Sequence, residues 1–332
     1  MVNFNSNRTF GIEIEMSWGD RNTGPQAPSQ QVVANAIRMA GLECNVVNSY
    51  SNAHLSNSNT AWKIVRDGSV TNGHELVSPI LRGLNGKEQL QKAMQAVKSI
   101  GAVVHESCGV HVHHGVHEFT AKQLANIAEI WRNNEQTIDK LVSVSRRNVH
   151  WARSMDNGVS YFENVSAITF NGEWSNSHHD LFAKNSLETA MVNGKYYKVN
   201  FRAFVRQGTV EFRQHQSSLN ATQIWNWVVF TQMVVESAKG KRGKAKPVTV
   251  NTGNQETAGE RALIRDLNMR KRTDPRTGRQ NYDDVTMNAL RGLAKKRQVG
   301  MVNRHGQNME IGLSINLRAG AVEEDSEINV AA

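Results

Sequence analysis

Three stretches of the chain alternate apolar and polar residues with a period of two, which predicts β-strands with one apolar and one polar face. The polar faces of these strands share ionisable side chains: Glu13 and Glu15; His111 and His113; Glu211, Arg213 and His215. His105 continues the alternation of the histidine strand. Carboxylates placed side by side repel each other unless a cation lies between them. The pattern therefore favours a metal and anion site over an ordinary solvated sheet face.

Other segments complete a predicted sheet. The strand of Glu13 and Glu15 is expected over residues 8–18, and further strands are expected over 43–48, 62–66, 73–80 and 196–205. Pro79 indicates that its strand ends there or lies at the edge of the sheet. Glu75 shares a face with Val77 and Pro79, which is unusual for a core strand. We therefore include Glu75 among the candidate site residues.

Apolar residues that recur every three or four positions predict helices between these strands. Ser29 is the expected N-cap of a helix over 30–40, and Gly41 ends it. Capping boxes at 85–88 and 120–123 predict the starts of two longer helices. A fourth helix is expected over 220–238. Strands and helices together indicate an α+β fold.

Two segments do not fit this pattern. Residues 150–195 contain few apolar repeats and predict an irregular insertion with short helical pieces near 186–192. After residue 238 the chain becomes a basic linker over 239–247, followed by two predicted amphipathic helices at 258–271 and 284–297. An acidic tail over 322–332 is predicted to be disordered. We divide the chain into a domain over 1–238 and an extension over 239–332.

Composition narrows the class of protein. The chain has 332 residues, of which 39% are hydrophobic and 21% charged, as expected for a globular protein. It has no apolar run of about 18 residues, which argues against a membrane span, and its first residues do not resemble a secretory signal. Two cysteines, Cys44 and Cys108, cannot build a disulfide framework, so we expect a cytoplasmic protein. Cys108 could act as a nucleophile, but a packed small residue is the favoured interpretation.

The net charge of +9 is unevenly distributed. Residues 1–238 hold 21 Lys/Arg against 19 Asp/Glu, whereas residues 239–332 hold 18 against 11. Within 239–304 the counts are 17 and 6. Such a segment could bind nucleic-acid phosphates with a strong dependence on salt. A solvated basic extension is the alternative.

Four motifs follow one another along the chain: Gly11-Ile12-Glu13-Ile14-Glu15; Asp67-Gly68-Ser69 leading to Glu75-Leu76-Val77-Ser78-Pro79; Cys108-Gly109-Val110-His111-Val112-His113; and Thr209-Val210-Glu211-Phe212-Arg213. Together, and in this order, they resemble the amidoligase family. The family is similar to glutamine synthetases and glutamate–cysteine ligases, and phages encode many of its members, so the host cytoplasm is the expected location if the source is a phage. The resemblance covers about residues 8–238 and leaves the basic region out.

The resemblance implies a curved, mostly antiparallel sheet that lines a catalytic groove, with helices on its outer face. It implies ATP-dependent joining of a carboxylate to an amine with Mg²⁺ or Mn²⁺. The implied roles are metal ligands for Glu13, Glu15, Glu211 and His111; nucleotide or phosphate contacts for His113, His111 and Arg213; and catalytic roles for Glu75, Arg213 and Arg146. Arg146 and Asn200 match the family pattern less closely than the other residues. Residues 17–61 and 150–195 vary in the family, and we expect them to select the substrates.

The residue types suit this chemistry. Activating a carboxylate with the γ-phosphoryl group of ATP requires positioning and charge neutralisation, which carboxylate-bound Mg²⁺ and an arginine fork supply. No P-loop motif is present. A metal-dependent hydrolase with Zn²⁺ on His111 and His113 is an alternative. The sequence leaves open whether the carboxylate and amine belong to small molecules, peptides or nucleic acid, and which residue is the general base, with Glu75 one candidate. It also leaves the oligomeric state open.

Overall fold

The computed structural model describes residues 4–19, 24–47, 60–147, 149–155 and 196–240, together with the backbone of four short strands after residue 270. Among the helices that it describes, not one has the length and apolar character that a membrane span requires. All statements below refer to these residues.

A mostly antiparallel sheet is the centre of the fold. Its strands are β1 (Thr9–Ser17), β2 (Cys44–Val47), β3 (Trp62–Val65), β4 (Gly73–Val77), β5 (Leu81–Arg82), β7 (Gly109–Gly115), β8 (Val199–Asn200) and β9 (Thr209–Gln216); β6 (Val104–His105) lies outside it. The order across the sheet is β2-β3-β4-β1-β7-β9-β8, and β5 pairs with the start of β1. The β2–β3 pair alone is parallel.

Helices cover the apolar face of this sheet. They are α1 (Gln30–Met39), α2 (Gly83–Ser99), α3 (Ala121–Ile138), α4 (Arg202–Gln207) and α5 (Ala221–Gly240), with 3-10 turns at Asp139–Leu141 and Val144–Arg146. The ring of Phe212 on β9 lies 5.1 Å from Trp131 on α3, and Trp131 lies 5.9 Å from Trp227 on α5. Burial of such aromatic groups contributes strongly to a core. Because this face is occupied by the core, the polar residues of the same strands lie on the opposite face.

Several predicted elements are confirmed. The helix expected over 30–40 is α1, and the Ser29 side chain accepts a hydrogen bond from the Val32 amide at its start. Thr120 and Gln123 form the predicted capping box of α3. The mixed α and β composition with a mostly antiparallel sheet also agrees with the predicted fold class.

The capping box predicted at 85–88 is wrong. Helix α2 begins at Gly83 directly after β5, and its N-cap residue Arg82 makes no side-chain cap hydrogen bond. Gly86 therefore lies inside the helix, where a Cβ atom would come within 2.5 Å of the Phe10 ring. Close packing on β1, rather than capping, accounts for glycine at this position.

The strand predicted over 196–205 is also wrong for most of its length. Only Val199–Asn200 pairs with β9, and the chain then forms α4. The Asn200 side-chain oxygen accepts a hydrogen bond from the Arg202 amide at 2.9 Å, which satisfies a backbone donor of the first turn. Gly208 ends α4 in the left-handed conformation that favours glycine.

Four strands of the C-terminal region are described by their backbone. They are β10 (Lys271–Thr273), β11 (Gln280–Tyr282), β12 (Arg297–Val302) and β13 (Asn308–Glu310). β12 pairs in parallel with β6, where Met301 is opposite Val104. The helices predicted over 258–271 and 284–297 lie outside the described residues except for their last positions, as do the acidic tail and residues 156–195 of the insertion.

Candidate active site

Strand register brings the predicted site residues into one row across five neighbouring strands. Glu75 on β4 is opposite Glu15 on β1, and Glu13 on β1 is opposite His111 on β7. His113 on β7 is in turn opposite Glu211 on β9, and Asn200 on β8 pairs with the same glutamate. Directly opposite residues have Cβ atoms about 5 Å apart, so their side chains can converge.

His111 lies at the centre of the row, between two groups of carboxylates. Its Nδ1 is 3.0 Å from Glu13 Oε2 and 3.5 Å from Glu211 Oε1. Its Nε2 is 4.0 Å from Glu15 Oε1. The side chains form two sets of candidate metal ligands, and within each set the ligand atoms lie within 4.8 Å of one another. One set is Glu13, His111 and Glu211, and the other is Glu15, Glu75 and His111.

Glu75 is the carboxylate whose environment most clearly favours binding of a cation. The residue is fully buried, and neither carboxylate oxygen has a hydrogen-bond partner among the described residues. Burial raises the pKa of Glu75 well above its ordinary value, and the neighbouring charges of Glu13 and Glu15 raise it further. A buried carboxylate without a partner is costly unless it is neutral or binds a cation. A metal ion between Glu75 and Glu15 would offset both the cost of burying the carboxylate and the repulsion between the two charges.

Basic neighbours lower the pKa of two other carboxylates of the row, Glu13 and Glu211. Burial alone would raise the pKa of Glu13, but His113 and His111 hold it well below its ordinary value. Burial likewise acts against Glu211, whose pKa is lowered by Arg213 first and then by the two histidines. The pKa of His113 rises above its ordinary value because the nearby carboxylates outweigh the effect of burial. These shifts favour the charged forms of Glu13, Glu211 and His113.

Two arginines lie beside the row. The Arg213 guanidinium donates a hydrogen bond to Glu211 Oε1, and burial, which would lower its pKa, is outweighed by the surrounding carboxylates, so the pKa is raised. Arg146 is buried with 3% of its surface exposed, and it donates a hydrogen bond to the backbone oxygen of Arg213 at 2.9 Å. Guanidinium groups remain charged at neutral pH. The two side chains therefore place positive charge beside the carboxylate row.

Three other candidates lie outside the row. A register shift between β7 and β9 leaves Val110 opposite His215 and Val112 opposite Phe212, which adds one residue to β9. This irregularity turns His215 to the core face, where its ring lies 5.0 Å from Trp227 and burial lowers its pKa to about 3. The expectation that His215 shares the face of Glu211 is therefore wrong.

His105 and Cys108 are also unsuited to a role in the site. A turn separates β6 from β7, and His105 Nδ1 lies 2.8 Å from the Ser107 hydroxyl rather than in the row. The Cys108 thiol is buried, and burial raises its pKa to about 12, which opposes formation of a thiolate nucleophile. The packing interpretation of Cys108 fits these observations.

Thr209 and the backbone amide of Gly109 also contact the row, although the residue pattern predicted no role for either. Thr209 Oγ1 lies 3.1 Å from His113 Nδ1, and the Gly109 amide donates a hydrogen bond to Glu15 Oε2 at 2.7 Å. Both contacts orient a residue of the row. Thr209 follows the alternation of β9 and could have been found from it, whereas the Gly109 amide carries no signal in the residue pattern.

Comparison of the chain with known protein families identifies its family. The model of the family described as "Putative amidoligase enzyme" matches residues 6–235. The chain belongs to this family. The matched span contains every strand of the main sheet and the whole row of candidate site residues in this amidoligase, and it ends before the basic region begins.

Solved structures add a distant likeness. Fifteen solved chains match, among them the crystal structure of the complex between Prokaryotic Ubiquitin-like Protein Pup and its ligase PafA. The match has a TM-score of 0.35 and 10% sequence identity, and it covers 87% of this amidoligase and 62% of the other chain. The amidoligase thus spans less than two thirds of the length of that chain. No curated protein matches.

The side chains of the row fit a divalent cation. Both candidate ligand sets combine two carboxylates with one imidazole nitrogen. Mg²⁺ prefers oxygen ligands, and Mn²⁺ accepts the same oxygens together with imidazole. The unpartnered oxygens of Glu75 provide ligand capacity that the protein itself does not use.

Proposed function

We propose that this amidoligase is an ATP-dependent carboxylate–amine ligase that forms an amide or peptide bond through an acyl phosphate. The observation that carries the proposal is the convergence of four buried glutamates on one sheet face, next to the buried guanidinium group of Arg146 and the half-buried one of Arg213. In the proposed reaction, a substrate carboxylate attacks the γ-phosphorus of ATP and ADP leaves. The amine then attacks the acyl carbon, phosphate leaves, and the amine gives up a proton.

Divalent cations would be held by the carboxylate row. Glu13, Glu211 and His111 form one ligand set, and Glu15, Glu75 and the other nitrogen of His111 form the second. Bound Mg²⁺ or Mn²⁺ would supply charge neutralisation for the phosphates of ATP. The unpartnered carboxylate oxygens of Glu75 support its role as a site carboxylate.

The arginines and His113 would act on the phosphoryl group. Arg213 presents a planar fork that can bind two phosphate oxygens at once. Arg146, fixed on the backbone of Arg213, adds a second positive charge to the same region. His113 would contact the nucleotide in a fixed orientation, because Thr209 lies within hydrogen-bond distance of its Nδ1.

The ligand chemistry favours this function over a zinc hydrolase. Zinc sites usually combine several nitrogen or sulfur ligands. Here each candidate set in the described part of the chain has a single imidazole and two carboxylates, and His113 belongs to neither set. Such oxygen-rich sets suit Mg²⁺ and Mn²⁺ better than Zn²⁺.

The acceptor and the role of the extension remain predictions. Residues 239–304 carry 17 Lys/Arg against 6 Asp/Glu, which supports affinity for polyanions such as nucleic acid. Truncation after residue 238 should remove that affinity and retain nucleotide binding by the domain over 1–238. Retention of DNA or RNA binding at low salt by the truncated protein would contradict this assignment.

The proposed function is tested by a screen for ADP release. The purified protein is incubated with Mg·ATP and with pairs of carboxylates and amines drawn from amino acids, peptides and nucleic acid. We expect one pair to stimulate ADP release and to yield a product whose mass is the sum of the two substrates less one water. Release of ADP without a condensation product for any pair, or product formation without ATP, would contradict a ligase.

A further inference from the structure

Gly109, the first residue of β7, lies directly beneath the guanidinium group of Arg146. A Cβ atom built on Gly109 would lie 2.7 Å from Arg146 Nη2, 3.2 Å from its Cζ and 3.3 Å from His111 Nε2. Real Cβ atoms essentially never approach other heavy atoms to less than 3.0 Å. Any side chain at position 109 would therefore require the guanidinium group to move.

Backbone conformation does not explain glycine at this position. The glycines that adopt a positive φ among the described residues are Gly19, Gly41, Gly83, Gly101 and Gly208. Gly109 is absent from this group, so an L-residue could adopt its backbone angles. The requirement for glycine is a requirement for space above the Cα atom.

The guanidinium group of Arg146 fills this space and is held in one position. Arg146 donates through Nη2 to the backbone oxygen of Arg213, while its Nε is buried and has no hydrogen-bond partner among the described residues. A buried donor without a partner is costly, and a bound oxyanion would satisfy it. Glu15 lies near the same guanidinium, since it accepts a hydrogen bond from the Gly109 amide.

We propose that Gly109 is a positioning residue that seats the Arg146 guanidinium beside Arg213, so that the pair binds an oxyanion of the substrate. The oxyanion is either a phosphoryl group of ATP or the carboxylate to be activated. The inference rests on the proposed ligase function and assigns to Gly109 a part in it. Because the Gly109 amide is kept in alanine, Gly109→Ala changes the seat of Arg146 and leaves the hydrogen bond to Glu15 available.

A double-mutant cycle separates this role from a general effect on the strand. The four proteins are the wild type, Gly109→Ala, Arg146→Lys and the double variant. Lysine carries its charge without the two terminal nitrogens of arginine, so it has no Nη2 atom to collide with a Cβ at position 109. The cost of Gly109→Ala should therefore depend on which residue occupies position 146.

The measurement is the dissociation constant of two oxyanion probes by calorimetry, with unfolding temperature recorded in parallel. The probes are a non-hydrolysable ATP analogue with Mg²⁺, which tests the phosphoryl source, and acetate, which tests the carboxylate source. We expect Gly109→Ala to weaken one probe by about tenfold or more and to lower the unfolding temperature by less than about 3 °C. In the Arg146→Lys background the same substitution should weaken that probe by less than about twofold.

Gly11→Ala is the matched control. Gly11 lies on the same polar face of the neighbouring strand, but a Cβ atom there would meet only His113 Cβ and Ser78 Oγ, both at the ordinary contact distance of 3.9 Å. This variant should bind both probes like the wild type.

The outcomes distinguish the two proposals. An equal loss of affinity on Gly109→Ala in both backgrounds, or no loss in either, would overturn the role of Gly109 while leaving the ligase proposal intact. A large drop in the unfolding temperature of Gly109→Ala would show that its glycine serves the fold, and would also overturn the inference. If the wild type binds neither probe, the result would instead overturn the proposed function and, with it, the oxyanion assigned to Arg146.

Discussion

Lys198 is a fully buried lysine whose ammonium group lies between two carboxylates. Its Nζ is 2.8 Å from Glu135 Oε1, near the end of α3, and 2.6 Å from Asp139 Oδ1. The lysine comes just before β8, where Asn200 donates a hydrogen bond to Glu211 at 2.5 Å. The ion cluster therefore attaches the edge strand of the sheet, and with it one partner of the site, to a helix of the core.

We predict that Lys198→Met lowers the free energy of unfolding by about 3–5 kcal/mol, the range for removing one partner of a buried ion pair. Methionine can fill much of the volume of the lysine stem, so the loss comes mainly from the two carboxylates left without a cation. Lys239→Met is the matched control. Lys239 Nζ lies 2.6 Å from Glu118, but the two side chains are 36% and 49% exposed. An exposed pair contributes about 0–1 kcal/mol.

Urea unfolding of the three proteins, followed by circular dichroism, measures the difference. Burial raises the pKa of Asp139, and Lys198 partly offsets this effect. Removal of the lysine should therefore raise that pKa further, and protonation at lower pH should neutralise the carboxyl group. The cost of Lys198→Met should consequently be smaller at pH 5 than at pH 8. Equal costs for the two lysine variants, or a larger cost at low pH, would refute this reasoning.

Three further predictions concern the site and the pH dependence of stability. Arg213→Lys should lose most ADP release, because lysine keeps the charge but not the bidentate fork; near-normal turnover would leave Arg213 as a structural partner only. His111→Asn should weaken Mn²⁺ binding in a calorimetric titration with little change in unfolding temperature, whereas His215→Asn should lower the unfolding temperature and leave Mn²⁺ binding unchanged; the reverse pattern would contradict the faces assigned to them. Burial would raise the pKa of Glu118, but cationic neighbours, Lys239 first, lower it to about 2 from an ordinary value of 4.5. The charged Glu118 therefore stabilises the fold above about pH 4.5, and this stabilisation is lost as the pH falls towards 2. Glu118→Gln should flatten the acid side of the plot of unfolding free energy against pH. An unchanged plot would show that the ion pairs of Glu118 are not formed in solution.

Alternation along the chain was sufficient to predict which side chains of the candidate site share a face of the sheet. Glu13 and Glu15, or His111 and His113, share a face wherever their strand has a regular pleat, and this depends only on neighbouring residues. The apolar positions between them predicted the face that the helices cover. The partner of each strand was not encoded in the same local way, and the pairing of Glu75 with Glu15 could not be derived from either segment alone.

The errors arise where contacts distant in the chain decide the local structure. His215 leaves the polar face because the pairing with β7 has an extra residue, and the alternation of β9 contains no sign of it. The strand expected over 196–205 is cut short where the side chain of Asn200 binds the Arg202 amide. Lys198 was not recognised because its buried position depends on carboxylates about 60 residues earlier in the chain.

The proposed function requires that the row of glutamates binds a divalent cation. The most direct test is a calorimetric titration of Mn²⁺ into the wild type, Glu13→Gln and the exposed control Glu88→Gln, with folding checked by circular dichroism. The amide keeps the size of Glu13 but removes its charge, so we expect affinity for Mn²⁺ to fall at least tenfold, about 1.4 kcal/mol, while Glu88→Gln binds like the wild type. Equal Mn²⁺ affinity in all three folded proteins would contradict the claim.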